Sequence, residues 1–149
     1  MTEVQEAMDY LLNQLNPERA IVAIGREGRV HGLPTKGLWL TAPISHTILR
    51  GTLESGQPFN AIDAAQHPSL KERTSVMLAE IRSVICLPVN NPVGMPVGLL
   101  YADSRVKARA FEEEDFNLVT SFARQLSTRL GTLNLPPLDW DGLQQVRFT

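Results

Sequence analysis

A single cysteine, Cys86, occurs in the 149 residues, which excludes an internal disulfide, every CxxC metal or redox motif and any chemistry that needs a second, resolving thiol. That scarcity suits a reducing compartment. No run approaches the roughly 20 uninterrupted apolar residues that a membrane-spanning helix needs, and the start, Met1-Thr-Glu-Val4, has neither the basic nor the apolar region of a signal peptide. The expectation is a soluble cytoplasmic protein. Excess positive charge is missing too, with 14 basic residues against 16 acidic and a formal net charge of -2, so the field that nucleic-acid binding requires is absent. Neither nucleic acid nor a membrane is an expected partner. A phosphate loop is also lacking: Gly25-Arg-Glu-Gly28 has neither the G-x-G-x-x-G spacing nor a following Lys-Ser/Thr, and reads as a hairpin turn. What remains is 43% apolar and 20% charged, the composition of one globular domain with no room for a second.

From Thr2 to Leu15, the residues Val4, Met8, Leu11, Leu12 and Leu15 fall at helical spacing behind Thr2-Glu-Val-Gln5, which has the form of a capping box. Asn16-Pro17 ends that amphipathic helix. Ala20 to Ile24 is short and β-branched, and with Arg29 to Gly32 predicts two strands across the glycine turn. Leu33 to Pro43 is broken by prolines and glycine and predicts a short strand or a loop. Ser45 predicts the N-cap of a second helix, Thr47 to Glu54, ending at Ser55-Gly56. Pro58 to Ile62 suits an edge strand, and a third helix over Leu70 to Ile81 is weakened by Thr74, Ser75 and Val76. The clearest sheet signal is the pair Ser83 to Val89 and Val97 to Ala102, antiparallel strands joined by the seven residues Asn90 to Pro96. Phe111 and the acidic turn Glu112-Glu-Glu-Asp115 open the longest helix, predicted to reach Leu133 on a stripe of Phe116, Val119, Phe122, Ala123, Leu126, Leu130 and Leu133. Residues 134–149 carry Pro136, Pro137, Trp140 and Phe148 without a period, and predict a flexible end or a docking arm.

The reactive side chains give few constellations. Cys86 between Ile85 and Leu87 reads as a small buried hydrophobe before it reads as a redox sensor. His31, His46 and His67 sit on three elements, unlike the spacing of metal ligands, and Ser45-His46 and Ser69 near His67 lack any motif that frames an activated serine. Asp63 and Asp103 each follow an apolar strand and precede a small residue, where a carboxylate closes a turn. Arg82, at the mouth of a strand, either binds a carboxylate or phosphate or pairs with Asp63 or Glu80.

The order of elements resembles a GAF domain, a ligand-sensing and dimerisation module of signalling proteins. The likeness rests on Leu53-Glu-Ser-Gly-Gln-Pro58, Asp63-Ala, His67-Pro68, Thr74-Ser-Val76, Ile81-Arg-Ser-Val-Ile-Cys-Leu-Pro88, Val97-Gly-Leu-Leu-Tyr-Ala-Asp-Ser104 and Phe111-Glu-Glu-Glu-Asp115 ahead of Phe122-Ala-Arg-Gln-Leu126. Its flavour is that of the modules beside forkhead-associated domains, histidine kinases and sigma-54 activators. The resemblance implies an α+β fold with an antiparallel sheet of about six strands, terminal helices on one face and a variable helix and loop cover over a pocket on the other. It divides the chain into residues 1–16, a helix of the helical face, 17–133, the GAF domain, and 134–149, the tail. It puts Arg82, Trp39, His67, Arg73, Ser75, Met77 and Asp63 forward as ligand-binding candidates. Relatives that bind cyclic nucleotides carry an Asn-Lys pair and a Phe-x-x-x-Asp-Glu run, whereas this chain has Asn90-Asn91 and Phe116 at those places. A bilin pigment is held through a cysteine usually followed by histidine, and reduction of free methionine sulfoxide needs more than one cysteine; neither pattern is here.

The expectation is therefore a regulatory sensor that is not an enzyme, with no catalytic residues, metal or cofactor, binding an unknown small molecule. Its apolar helices predict a homodimer through Met8, Leu11, Val119, Phe122, Leu126 and Leu130, acting on a separate output protein or domain. The rival expectation is a protein-interaction or dimerisation scaffold whose pocket is vestigial.

Overall fold

The computed structural model describes residues 2–32, 43–61, 83–104 and 111–148. The expectations for Trp39, the Leu70 to Ile81 helix and every ligand candidate fall outside these ranges.

Helix α1, Thr2–Leu15, buries Val4, Ala7, Met8, Leu11 and Leu15, the stripe that a 3.6-residue period demands. The capping box expected at its start does not form. The helix already includes Thr2, whose hydroxyl donates to Glu3, and the Gln5 amide donates 2.7 Å to Asp9 one turn on. Asn16, at φ 45, ends the helix in the left-handed conformation and donates its backbone N–H to the Leu12 carbonyl. Strand β1, Arg19–Ile24, is buried along its whole length. A two-residue turn with Gly25 at φ 59 leads into β2, Glu27–His31. Glycine serves there because the first central residue of such a hairpin turn needs a positive φ.

Helix α2, Pro43–Ser55, begins two residues before the expected cap, with Pro43 in the first turn, where its missing N–H is harmless. Gly56, at φ 66, closes it by donating to the Thr52 carbonyl. Strand β3, Phe59–Ala61, is a short sheet edge beside β4, Ser83–Asn90, which pairs in turn with β5, Pro96–Ser104. The β4–β5 connection is five residues, shorter than expected because Asn90 and Pro96 already pair. Its shape is set by Asn91, whose side-chain oxygen accepts from the backbones of Val93 and Met95.

Helix α3, Glu113–Leu130, stops at Gly131 instead of Leu133, which is 46% exposed. At its start the Asp115 carboxylate accepts the Glu112 N–H at 2.9 Å, a reach-back contact that satisfies a backbone donor at the helix entrance. The tail is neither flexible nor free. It forms the one-turn helix α4, Trp140–Gln144, and strand β6, Arg147–Phe148, which lies parallel to β2 at the sheet edge.

The six strands run in the order β3-β4-β5-β1-β2-β6 and are antiparallel apart from the last pair. Side chains alternate across the sheet, so each strand feeds two cores. Val22, Ile24, Ile85, Leu87, Leu100 and Ala102 pack beneath α1 and α3 with Phe111. Ile21, Ala23, Val84, Cys86, Leu99 and Tyr101 pack beneath α2 and the tail with Ile48, Leu49 and Leu143. Each fully buried Leu, Ile or Phe supplies about 1.5–3 kcal/mol of transfer free energy, so both faces of the sheet contribute to the fold. An α+β sheet of six strands with terminal helices on one face is the expected architecture.

Candidate functional site

The α2 face of the sheet ends in a polar cluster. Arg19 and Asp103 lie directly opposite each other where β1 pairs with β5, and by alternation both point to the side occupied by Ile21 and Tyr101. The guanidinium grips the carboxylate through two bonds, Nε to Oδ1 at 2.8 Å and Nη2 to Oδ2 at 2.5 Å, and the Tyr101 hydroxyl donates to the same Oδ2. All three side chains are buried, Asp103 completely. Asp103 is thus half of an internal ion pair and not the turn-closing carboxylate that the sequence suggests.

Electrostatics pull in both directions here. Burial opposes the charge on Arg19, but the hydrogen bonds and negative charge of Asp103 outweigh it and raise the Arg19 pKa. For Asp103, burial pushes the carboxyl pKa up against the lowering pull of Arg19 and Tyr101. The Nε/Nη2 edge of the guanidinium is taken up by the carboxylate and its charge is neutralised there, so the pair forms a fixed polar floor instead of a free cation.

Cys86 lies on the same face, fully buried. Burial pushes its thiol up to about 12, while the Thr52 hydroxyl tempers the shift without reaching hydrogen-bond geometry. Such a thiol stays protonated and unreactive near neutral pH. Among the described residues no three His, Cys, Asp or Glu side chains gather as metal ligands; His46 sits on α2 with its ring edge-on to Trp140 at 4.3 Å.

The candidates Arg82, Trp39, His67, Arg73, Ser75, Met77 and Asp63 lie outside the described residues, so no geometry joins them. A groove of about 410 Å³ opens elsewhere, between α3 and the outer part of β4, lined among others by Pro58, Pro88, Asn90, Arg124 and Ser127. It is on the helical side of the sheet edge, away from the Arg19–Asp103 pair. Asn90, at the place where cyclic-nucleotide relatives carry their Asn-Lys pair, donates to the Gly56 carbonyl, and Phe116 packs against the core beneath α3.

The dimer candidates are placed inside the protomer. Met8, Leu11, Val119, Leu126 and Leu130 are buried between the helices and their own sheet, and Phe122 is half-buried in a parallel stack with Tyr10, centroids 4.1 Å apart. One sheet face covers Val119, Ala123, Leu126 and Leu130, more of the stripe than the sequence suggests, while Phe116 and Phe122 are half-buried and Leu133 is exposed. Among the described residues of these helices the exposed large apolar side chain is Leu118, while Leu12 and Phe116 are half-buried against the core.

Sequence reasoning missed Arg19, and of its two alternatives for the tail the docking arm is the one observed. The available signal for Arg19 was parity alone: it alternates with Ile21 and Ala23, as Asp103 alternates with Tyr101 and Leu99.

Comparison with known proteins agrees with this geometry. A family model described as GAF domain matches residues 2–130. No curated protein matches in sequence. Among solved structures, the GAF domain/HD domain protein from Geobacter sulfurreducens superposes with a TM-score of 0.59 at 14% identity, covering 89% of this chain and 93% of that one. A type II free methionine-R-sulfoxide reductase from Thermoplasma acidophilum gives 0.56 at 20%, covering 85% and 89%. A methyl-accepting chemotaxis protein gives 0.57 at 16%, covering 86% and 88%. At these identities the likeness is one of fold. Among the described residues no helix is long and apolar enough to cross a membrane. With six strands in this order, two helices beneath them and a family match spanning α1 through α3, the chain belongs to the GAF domain family.

Proposed function

We propose that this GAF domain is a non-enzymatic regulatory module that binds a small molecule over the α2 face of its sheet and passes the change on through the terminal helices of a homodimer in the cytoplasm. The observation that carries the reading is the family match over residues 2–130, because GAF domains are signalling and sensor modules. The two sides of the sheet differ in a way that supports it: α1 and α3 seal one face, and the other carries a buried polar floor of Arg19, Tyr101 and Asp103. Arg82 immediately precedes Ser83, which pairs with Ser104 next to Asp103. With the charge of Arg19 already paired to Asp103, Arg82 is the proposed anchor for an anionic group, with Trp39, Asp63, His67, Arg73, Ser75 and Met77 as the surrounding wall. The protonated thiol of the single cysteine supports the non-enzymatic assignment even though one structural relative is a reductase.

One observation favours a second reading, a protein-interaction scaffold with a vestigial pocket: the tail buries Leu138, Leu143 and Val146 against the same α2 face and so occupies part of it. Native mass spectrometry of the purified chain separates the two. A stoichiometric small molecule retained by the wild type and lost in Arg82→Ala supports the sensor. A protein that carries nothing, and whose thermal midpoint no anionic metabolite raises, leaves the scaffold. Sedimentation equilibrium tests the dimer, which a monomer at tens of micromolar would refute.

A further inference from the structure

The family match ends at Leu130, yet the chain continues into an ordered path that joins the two cores. Leu135 packs against the core beneath α1 and α3. Three residues later Leu138 belongs to the core beneath α2. The crossing is Pro136-Pro137, both exposed, and it passes the end of the sheet that holds the β1–β2 turn: the Leu138 N–H donates to the Pro96 carbonyl at 2.7 Å, and Leu135 lies beside Gly25. Consecutive prolines favour the extended polyproline conformation and so act as a stiff spacer.

Beyond the crossing the tail is held at three points. Asp139 caps α4 by accepting from the Gly142 N–H at 2.7 Å, and Leu143 and Val146 are buried. Trp140 meets His46 of α2 edge-on. Phe148 then lies over Gly28, where a Cβ would come within 2.7 Å of its ring and 2.6 Å of the Val22 carbonyl. Only a glycine leaves room for that seat. The Arg147 N–H donates to the Arg26 carbonyl, completing the attachment to β2.

We propose that residues 135–148 are a clasp that mechanically couples α2 on one face of the sheet to the C-terminal end of α3 on the other. The C-terminal end of α2 reaches α3 through β4, where Asn90 donates to the Gly56 carbonyl and accepts from the Ser127 hydroxyl; His46 lies ten residues away, near the other end of α2. Here a covalent path of five residues, Gly131 to Leu135, leads from the last turn of α3 to the proline bridge, and the bridge leads to a ring resting on α2. A shift of α2 pulls on the clasp, and the stiff crossing passes that pull to α3 where a flexible one would absorb it. The coupling runs within the single chain and stands whether or not a ligand binds the α2 face.

Hydrogen–deuterium exchange by mass spectrometry on the full chain tests it, comparing wild type, Trp140→Ala, Pro136→Gly/Pro137→Gly and the triple combination. Trp140 is half-buried, so its truncation spares the central strands. Trp140→Ala is expected to raise exchange about tenfold, the scale of one aromatic contact, in α2 and in the last turn of α3 together, leaving α1 and the centres of β4 and β5 unchanged. In the Gly-Gly background the same substitution should still loosen α2 but no longer reach α3. The proposal is overturned if α2 is unaffected by Trp140→Ala, if exchange rises uniformly across the protein, or if the α3 response survives without the prolines.

Discussion

Removing the Asp103 carboxylate should be among the most damaging single changes this domain can suffer. In Asp103→Ala the carboxylate that raises the Arg19 pKa is gone, yet a guanidinium stays protonated in a protein at any working pH, and it is left buried, only 6% exposed, at the start of β1. Two hydrogen bonds and the acceptor of the Tyr101 hydroxyl disappear at once. Breaking one side of a buried ion pair costs about 3–5 kcal/mol, a large part of the 5–15 kcal/mol that typically stabilises a domain of about this size. At roughly 2–4 °C per kcal/mol the thermal midpoint should fall by about 6–20 °C. Urea unfolding followed by tryptophan fluorescence and circular dichroism measures the loss directly. Replacing the whole cluster, Arg19→Met/Tyr101→Phe/Asp103→Leu, should restore stability to within about 1 kcal/mol of wild type or exceed it, because the desolvation of both ions is then avoided. The pH dependence has a definite sign. Burial raises the Asp103 pKa above its ordinary 3.8, so the folded state holds that proton more tightly than the unfolded chain. The corresponding stability is present below the unfolded value and lost as pH rises through the native one. The triple variant should therefore gain on wild type from about pH 4 upward. A cost below about 1 kcal/mol for Asp103→Ala, the range of exposed surface pairs, or a triple variant that loses ground as pH rises, would refute the reasoning.

Other expectations follow from the same packing. Cys86, buried with its thiol at about 12, should resist iodoacetamide at pH 8 in the native protein and react at the ordinary rate in urea; stoichiometric native alkylation would count against it. Asp115→Ala removes the acceptor for the Glu112 N–H and for the Gln14 amide, and should cost about 1 kcal/mol in chemical denaturation. Leu126→Glu places a carboxylate in the core beneath α3 and should unfold the protomer instead of merely dissociating a dimer. Leu118→Glu, on the outward side of the same helix, should leave the unfolding midpoint unchanged, which makes it the informative substitution for sedimentation.

The sheet was legible because its central strands are short, nearly continuous apolar runs, buried on both faces, and its turns carry the residues that turns require. Gly25 opens the β1–β2 hairpin and Asn91 organises the β4–β5 connection, and each is a local signal independent of the rest of the chain. The helical stripes of α1 and α3 were equally plain. Their interpretation was harder, since a stripe in sequence shows how wide an apolar face is and not how much of it the sheet beneath will cover. Met8, Leu11, Val119, Leu126 and Leu130 read as surplus and proved to be core.

Non-local matching explains what stayed hidden. Arg19 and Asp103 are separated by 84 positions, and each has an ordinary local role available, a strand-flanking cation and a turn carboxylate. Only the register of β1 against β5, fixed by the complete sheet, sets them face to face. The tail poses the same problem more sharply: a five-residue helix and a two-residue strand are too short to establish any period. What holds them is complementarity to surfaces made by distant residues, the bare backbone of Gly28 under Phe148 and the His46 ring under Trp140. The glycine itself was visible, but as a turn residue. Its second role exists only once β2 has become an edge that another strand can join, and that edge is a product of the fold.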